Sequence, residues 1–181
     1  MRFTPAVTVG ALALAPVGAF AVDYLTAEQA ARLMFPEADA FEPHTLSLDA
    51  AALQALDASG VKARSAQWTL QAARHAGKTL GWVVTDEVIG KFERIGYAVG
   101  LAADGSVRQV EILSYRESHG GEIRLPAWRR QFVGKTAASP LKVGDDIANI
   151  SGATLSCSHV TEGIRRIVAV VDLARRQNRL P

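Results

Sequence analysis

The chain has 181 residues, of which 49% are hydrophobic and 21% charged, with 15 Gly, 7 Pro and a single Cys. This composition indicates one globular domain and excludes a collagen-like or disordered chain. A single cysteine excludes an intramolecular disulfide and a cysteine-based zinc or iron–sulfur site. The formal net charge of +2 is too small for a nucleic-acid-binding protein.

The first 21 residues have the pattern of a cleavable secretory signal peptide. Arg2 precedes an apolar run from Ala6 to Ala15, and Ala19-Phe20-Ala21 provides an A-x-A cleavage site. The apolar run is too short for a comfortable membrane span, and an uncleaved anchor or a buried helix is the alternative interpretation. The sequence has no Arg-Arg pair here, so we expect export of an unfolded chain to the periplasm or another extracytoplasmic space. A cofactor then joins the protein outside the cytoplasm.

The first half of the mature chain is predicted to contain two helices followed by strands. Thr26 and Gln29 form a T-x-x-Q capping box, which predicts a helix to about Met34. An Ala/Leu-rich helix is predicted from about Asp49 to Ala58, with Gly60 as its C-terminal glycine. Four runs with strand character follow: Arg64 to Ala73, Leu80 to Thr85, Arg94 to Ala102 and Val107 to Tyr115. Asp104-Gly105 is a strong hairpin turn between the last two runs.

The remaining segments predict helices and complete the fold class. Pro126 is placed to open a short helix that carries Trp128 and Phe132, an i, i+4 pair expected in the core, and that ends at Gly134. Apolar residues at helical spacing predict a long C-terminal helix from about Leu155 to Arg176. We therefore predict a single α+β domain, in which an antiparallel sheet of four or so strands packs with helices.

The segment before the last helix reads Ile-Ser-Gly-Ala-Thr-Leu-Ser over residues 150–156. The first N–H groups of a helix have no partner within the helix, and the helix dipole adds partial positive charge there. Hydroxyls of Ser151, Thr154 and Ser156 add donors, while Gly152 and Ala153 leave room for a phosphate near the backbone. This pattern indicates an anion site. An ordinary helix cap with small packing residues is the alternative.

The Ser-Gly-Ala-Thr segment resembles the S/T-G-A-T signature of the FMN-binding domain family, which includes small flavin subunits of the Rnf and sodium-translocating NADH:quinone reductase complexes. Two further blocks carry the resemblance, the run Gly81 to Gly90 and the loop Glu117 to Ile123 with Trp128 and the Phe132 to Lys135 segment. The similarity covers about residues 78–172. Together with the signal peptide predicted over 1–21, it gives an N-terminal helical segment leading into the sheet over 22–75 and an FMN-binding domain over 76–177.

The resemblance implies FMN as the cofactor, attached through a phosphoester bond to Thr154 by a flavin transferase that takes FMN from FAD. It also implies an electron carrier for membrane or periplasmic redox proteins rather than a self-contained enzyme with catalytic residues. No metal site, nucleic-acid partner or membrane span after signal cleavage is expected. The implied cofactor-binding residues lie in three places: Ser151, Gly152, Ala153, Leu155 and Ser156 beside Thr154; Glu117, Ser118, His119, Gly120, Gly121 and Glu122 beside the flavin ring; and Lys135, with Lys142, near the phosphate.

Several of these residues have an ordinary structural interpretation as well. His119 is also consistent with an exposed loop histidine, the paired glycines with a tight turn, and the two lysines with solvated side chains. Cys157 is expected to be a buried small residue rather than a reactive thiol.

The signature departs from the family at one position, because Ala148 stands where Asp is usual, with Asp145 and Asp146 a little earlier. The alternative function is therefore a sensory or accessory domain of a membrane redox system that binds flavin or another anion without a covalent bond. A serine hydrolase using Ser151 or Ser156 is disfavoured, because the chain has no G-x-S-x-G motif.

Overall fold

The computed structural model describes residues 22–181, so the predicted signal peptide lies outside the described residues. The described part contains six strands, four α-helices and two short 3-10 turns. In chain order they are β1 Val22–Asp23, α1 Ala27–Met34, β2 Ala40–Ser47, α2 Ala50–Ala58, β3 Gln67–His75, β4 Lys78–Ile89, β5 Arg94–Ala102, β6 Val107–Tyr115, the 3-10 turn Gly121–Arg124, α3 Pro126–Arg129, the 3-10 turn Arg130–Phe132 and α4 Thr154–Arg176.

The six strands form one sheet in the order β1-β6-β5-β4-β3-β2, and every pair is antiparallel. Helix α1 packs on one face with a small core around Met34 and Phe35. Helices α2 and α4 and the 121–132 region cover the other face, where the larger core lies. Side chains alternate between the two faces along β5, where Ala98 belongs to the first core and Tyr97 and Val99 to the second.

The prediction of an α+β fold with an antiparallel sheet and a long last helix is confirmed. The predicted bounds of β5 and β6 agree with the structure, whereas β4 runs over Lys78–Ile89 and is longer than predicted. The prediction of about four strands missed both edge strands. Strand β2 contains Pro43, which a central strand does not tolerate but an edge strand does, and β1 has only two residues.

The predicted capping box of α1 is present in both directions. The backbone N–H of Gln29 donates to Thr26 Oγ1 at 3.1 Å, and the N–H of Thr26 donates to Gln29 Oε1 at 2.8 Å. We expect Thr26→Ala to lower the free energy of unfolding by about 1 kcal/mol, as measured by urea denaturation. Because the two bonds depend on one another, the double variant Thr26→Ala/Gln29→Ala should cost less than the sum of the single variants. Strict additivity would contradict a reciprocal box.

Helix α4 lies close against β4 and β5 because of a glycine and a buried arginine. A Cβ on Gly163 would lie 2.0 Å from the Tyr97 hydroxyl, so only glycine permits this approach. The Tyr97 hydroxyl donates to Asp86 Oδ2 at 2.9 Å. Arg166 is 2% exposed, donates through Nε to the Lys62 carbonyl at 2.8 Å, and lies 3.8 Å from Asp86 Oδ2. These contacts fix the helix on the sheet and therefore fix the position of its first turn.

Candidate functional site

The Ser-Gly-Ala-Thr segment forms the junction between a loop and α4. Gly152 has φ +81°, Ala153 is the N-cap residue, and the helix begins at Thr154. No side chain caps this helix, so its first N–H groups have neither an intrahelical partner nor a side-chain cap. Thr154 and Leu155 are exposed. The predicted anion site therefore has accessible donors, and a helix capped by its own Ser or Thr is not what the structure shows.

A cavity of about 370 Å³ opens beside this junction, a size within the range of small-molecule sites. It brings together residues that lie 25 to 65 positions apart in the chain, from the turn after β4, the loop after β6 and the start of α4. The lining residues are Lys91, Phe92, Glu117, Ser118, His119, Gly152, Ala153, Thr154, Leu155 and Ser156. Eight of these ten belong to the set implied by the family resemblance.

Glu117 holds the turn between β4 and β5. Its Oε1 accepts backbone N–H bonds from Phe92 at 2.7 Å and Glu93 at 3.0 Å, and a third from Lys91 at 2.5 Å. Burial acts to raise the pKa of Glu117, but these three donors and the Lys91 ammonium favour the carboxylate more strongly, so the pKa lies below its ordinary value. This oxygen therefore shapes one wall of the cavity.

Gly120 joins the second block to the signature. It has φ +82°, and a Cβ there would lie 2.1 Å from the Cβ of Ala153, so a side chain at 120 would separate the two segments. The Tyr115 hydroxyl donates to the His119 carbonyl and lies 3.5 Å from Oγ of the buried Ser156. Burial raises the pKa of Tyr115. The loop and the helix start thus form one packed unit around the cavity.

The hydroxyl of Thr154 has one hydrogen-bond partner among the described side chains. Asn149 Nδ2 donates to Thr154 Oγ1 at 3.0 Å, and both residues are exposed. Sequence reasoning did not single out Asn149. The only signal available was its position two residues before Ser151, within reach of the start of the helix.

The two lysines that were expected near the phosphate are each paired with an aspartate. Lys135 Nζ is 2.8 Å from Asp146 Oδ2, and Lys142 Nζ is 3.2 Å from Asp145 Oδ2. Neither lysine lines the cavity. Burial opposes ionisation of Asp146, but Lys135 and the N–H groups of Lys142 and Leu141 outweigh it and hold the pKa of Asp146 below its usual range.

The cation at this cavity is Lys91, which sequence reasoning missed together with its neighbour Phe92. Lys91 Nζ lies 4.8 Å from the centre of the Phe92 ring, and Phe92 is 74% exposed. With Leu155, which is 47% exposed, Phe92 gives the rim an apolar surface. A solvated turn with one aromatic residue carries no motif, so only the fold reveals that the turn faces the signature.

Other residues singled out from the sequence do not line the cavity. Trp128 and Phe132 are buried and pack edge to face at 5.0 Å, as predicted for a core pair. Trp128 Nε1 donates to the Ala148 carbonyl at 2.8 Å and so fixes the loop that precedes the signature. Cys157 is buried, and burial raises the pKa of its thiol. Ser151, Gly120, Gly121 and Glu122 do not line the cavity.

A slightly larger cavity, about 420 Å³, lies between α2 and α4 around Arg165 and Leu173. None of the signature residues lines it, so size alone does not identify the site. Within residues 22–181 no cluster of His, Cys, Asp and Glu side chains is arranged to hold a metal ion. None of the helices in this part of the chain has the length and apolar character needed to cross a membrane.

The role of Glu117 predicts a pH dependence. Because its folded pKa is lowered, the carboxylate contributes stability above its unfolded pKa, and this contribution is lost as the pH falls through the folded value. We expect Glu117→Gln to lower the free energy of unfolding at pH 7 by about 1 kcal/mol, since a neutral amide oxygen accepts weaker hydrogen bonds. Urea unfolding from pH 7 to pH 3 should show wild type and variant converging at acid pH. A constant difference would contradict the assignment.

Comparison with known proteins connects this geometry to a family. Residues 90–169 match the family model described as an FMN-binding domain, a range that includes the turn after β4, the 117–121 loop and the Thr154 junction. The crystal structure of NqrC from Shewanella oneidensis is similar at 17% sequence identity, covering 80% of this chain and 81% of that chain with a TM-score of 0.46. No curated protein matches the chain.

The residues at the cavity fit this cofactor in their chemistry. The uncapped start of α4 and Lys91 suit a phosphate group, and the exposed Phe92 and Leu155 suit an apolar, flat ring. Residues 90–169 are therefore similar to an FMN-binding domain, and FMN is the cofactor that this similarity indicates.

Proposed function

We propose that this chain is an extracytoplasmic electron-transfer protein that carries FMN on Thr154 through a phosphoester bond. The observation that carries the proposal is the position of the Thr154 hydroxyl, which is exposed at the wall of the cavity formed by the family-matched segments. Ser156, the other signature hydroxyl at this wall, is 3% exposed and lies beside Tyr115. Accessibility therefore favours Thr154 as the attachment residue.

The charges around Thr154 support a phosphodiester at this point. Such a group carries one negative charge, which the partial positive charge of the α4 N-terminus stabilises. Lys91 contributes a full positive charge at the cavity wall. Glu117 also lines the cavity, but its Oε1 accepts from the N–H groups of residues 91–93, so part of its charge is compensated.

A flavin exchanges electrons singly or in pairs, and the protein supplies its binding, orientation and electrostatic environment. The exposed side chains of Phe92 and Leu155 give the cavity rim an apolar surface that suits contact with another redox protein. The extracytoplasmic location is supported by the signal-peptide pattern of residues 1–21. Outside the cytoplasm a covalent bond has an advantage, because it prevents loss of the cofactor by diffusion.

The experiment that tests the proposal is peptide mass mapping of residues 143–165 in protein isolated from a host that contains a flavin transferase. We expect the added mass of FMN, less one water, on the peptide that contains Thr154, and in-gel flavin fluorescence after denaturation. Cell fractionation of the same culture should place the protein outside the cytoplasm. An unmodified peptide from a host with an active transferase would contradict covalent attachment.

A second candidate function is favoured by Ala148, which stands where the family signature usually has a carboxylate. In this case the same cavity holds FMN reversibly, and the chain acts as an accessory or sensory domain of a redox system. The two candidates differ in one measurement. Reversible binding gives flavin that a desalting column removes after denaturation in urea, whereas the phosphoester survives that treatment.

A further inference from the structure

The loop before the signature offers three polar side chains that are candidates for a contact with Thr154, those of Asp145, Asp146 and Asn149, and has Ala148 where the family signature has a carboxylate. Asp145 is paired with Lys142 and Asp146 with Lys135, so both carboxylates are held on lysine side chains. Ala148 has no polar side-chain atom, and its backbone N–H donates to Gln131 Oε1 at 2.7 Å. Among the described side chains, Asn149 contacts the hydroxyl, with Nδ2 3.0 Å from Thr154 Oγ1.

We propose that Asn149 is a positioning residue for the Thr154 hydroxyl during flavin attachment, in place of a carboxylate at position 148. This inference rests on the proposed function. The amide donates to one lone pair of Oγ1 and so favours one rotamer of the threonine, directing the other lone pair and the O–H away from Asn149. The contact needs no ionised group, so it is present over the whole range of pH at which the protein is folded.

The attachment step to which this applies is a group transfer from FAD. Thr154 Oγ1 forms a bond to the phosphorus on the riboflavin side of the pyrophosphate, and the bond from that phosphorus to the bridging oxygen breaks. AMP leaves with the bridging oxygen, and the threonine proton is released to the transferase or to water. No electrons are transferred. Asn149 takes no part in bond making; it holds the attacking oxygen in place.

A transferase assay on the intact mature protein tests the role of Asn149, with FAD as donor and intact mass as the readout. We expect Asn149→Ala to lower kcat about fivefold, the factor expected for one hydrogen bond of ordinary net strength, with KM for the acceptor protein unchanged. Gln177→Ala, which also removes an exposed amide but lies at the far end of α4, is the control and should match wild type. Because Asn149 is exposed, all three proteins should have the same melting temperature.

The outcomes of this assay separate the positioning role of Asn149 from covalent attachment itself. An Asn149→Ala protein with the kcat of wild type, or one that changes only KM, overturns the positioning role while leaving covalent attachment intact. A wild-type protein that accepts no FMN from an active transferase overturns the proposed function instead. A lower kcat together with a lower melting temperature would assign Asn149 a structural role in the loop, and that result also overturns the proposal.

Discussion

Replacing Thr154 by alanine is expected to remove all flavin that survives denaturation. Thr154 Oγ1 is the exposed signature hydroxyl at the cavity, whereas Ser156 is buried beside Tyr115 and Ser151 does not line the cavity. No neighbouring hydroxyl in the signature can therefore take over the attachment. The measurement is the intact mass of protein produced together with a flavin transferase and a supply of riboflavin, complemented by fluorescence of the denatured band.

Three further variants separate loss of the bond from loss of the fold. Thr154→Ser keeps a hydroxyl on the same Cβ and should retain attached FMN, although its side chain is less restricted than that of a β-branched residue. Ser151→Ala should match wild type. Because Thr154 is exposed, the alanine variant should unfold at the same urea concentration as wild type. Attached flavin in Thr154→Ala would show that the bond is on another residue, and this result would contradict Thr154 as the attachment residue.

Most helices and central strands were predictable because their sequence signals are local and periodic. The capping box at Thr26, the Asp104-Gly105 turn and the apolar spacing along α4 each specify an element without reference to the rest of the chain. The edge strands were not predictable in this way. Pro43 argues against a strand, and only pairing with β3 makes the 40–47 segment one, so its conformation is a tertiary effect.

The candidate site was predictable in its two motif-bearing segments but not in the turn that faces them. The signature and the 117–119 loop carry small residues and polar groups that point to a phosphate and a flavin. Lys91 and Phe92 line the cavity because Glu117 binds their backbone N–H groups across 26 and 25 residues of the chain. The lysines chosen from the sequence, Lys135 and Lys142, are close to the signature in the chain but are paired with aspartates.

Replacing Gly120 by alanine is expected to cause the largest loss of stability among the variants of the site. The residue has φ +82°, and the added Cβ would lie 2.1 Å from the Cβ of Ala153 and 2.8 Å from the Tyr115 hydroxyl. Neither neighbour can move alone, because Ala153 is the N-cap of α4 and Tyr115 ends β6. The unfavourable backbone conformation and the overpacking together should lower the free energy of unfolding by about 3 kcal/mol. Urea denaturation measures this loss, and the FMN content of the folded fraction should fall with it.

Two neighbouring glycines provide matched controls that separate the causes of this loss. Gly152 has nearly the same φ, +81°, with no atom within 4 Å of an added Cβ, so Gly152→Ala reports the backbone cost alone, about 1 kcal/mol. Gly121 is not in the left-handed region, and its Cβ would meet only the end of the long Arg124 side chain at 3.2 Å, so Gly121→Ala should be close to neutral. The order of stability should therefore be Gly121→Ala, then Gly152→Ala, then Gly120→Ala. If Gly120→Ala is no less stable than Gly152→Ala, the packing of the loop against Ala153 does not hold the cavity together. The contact between the second block and the signature would then lose its role in building the FMN site.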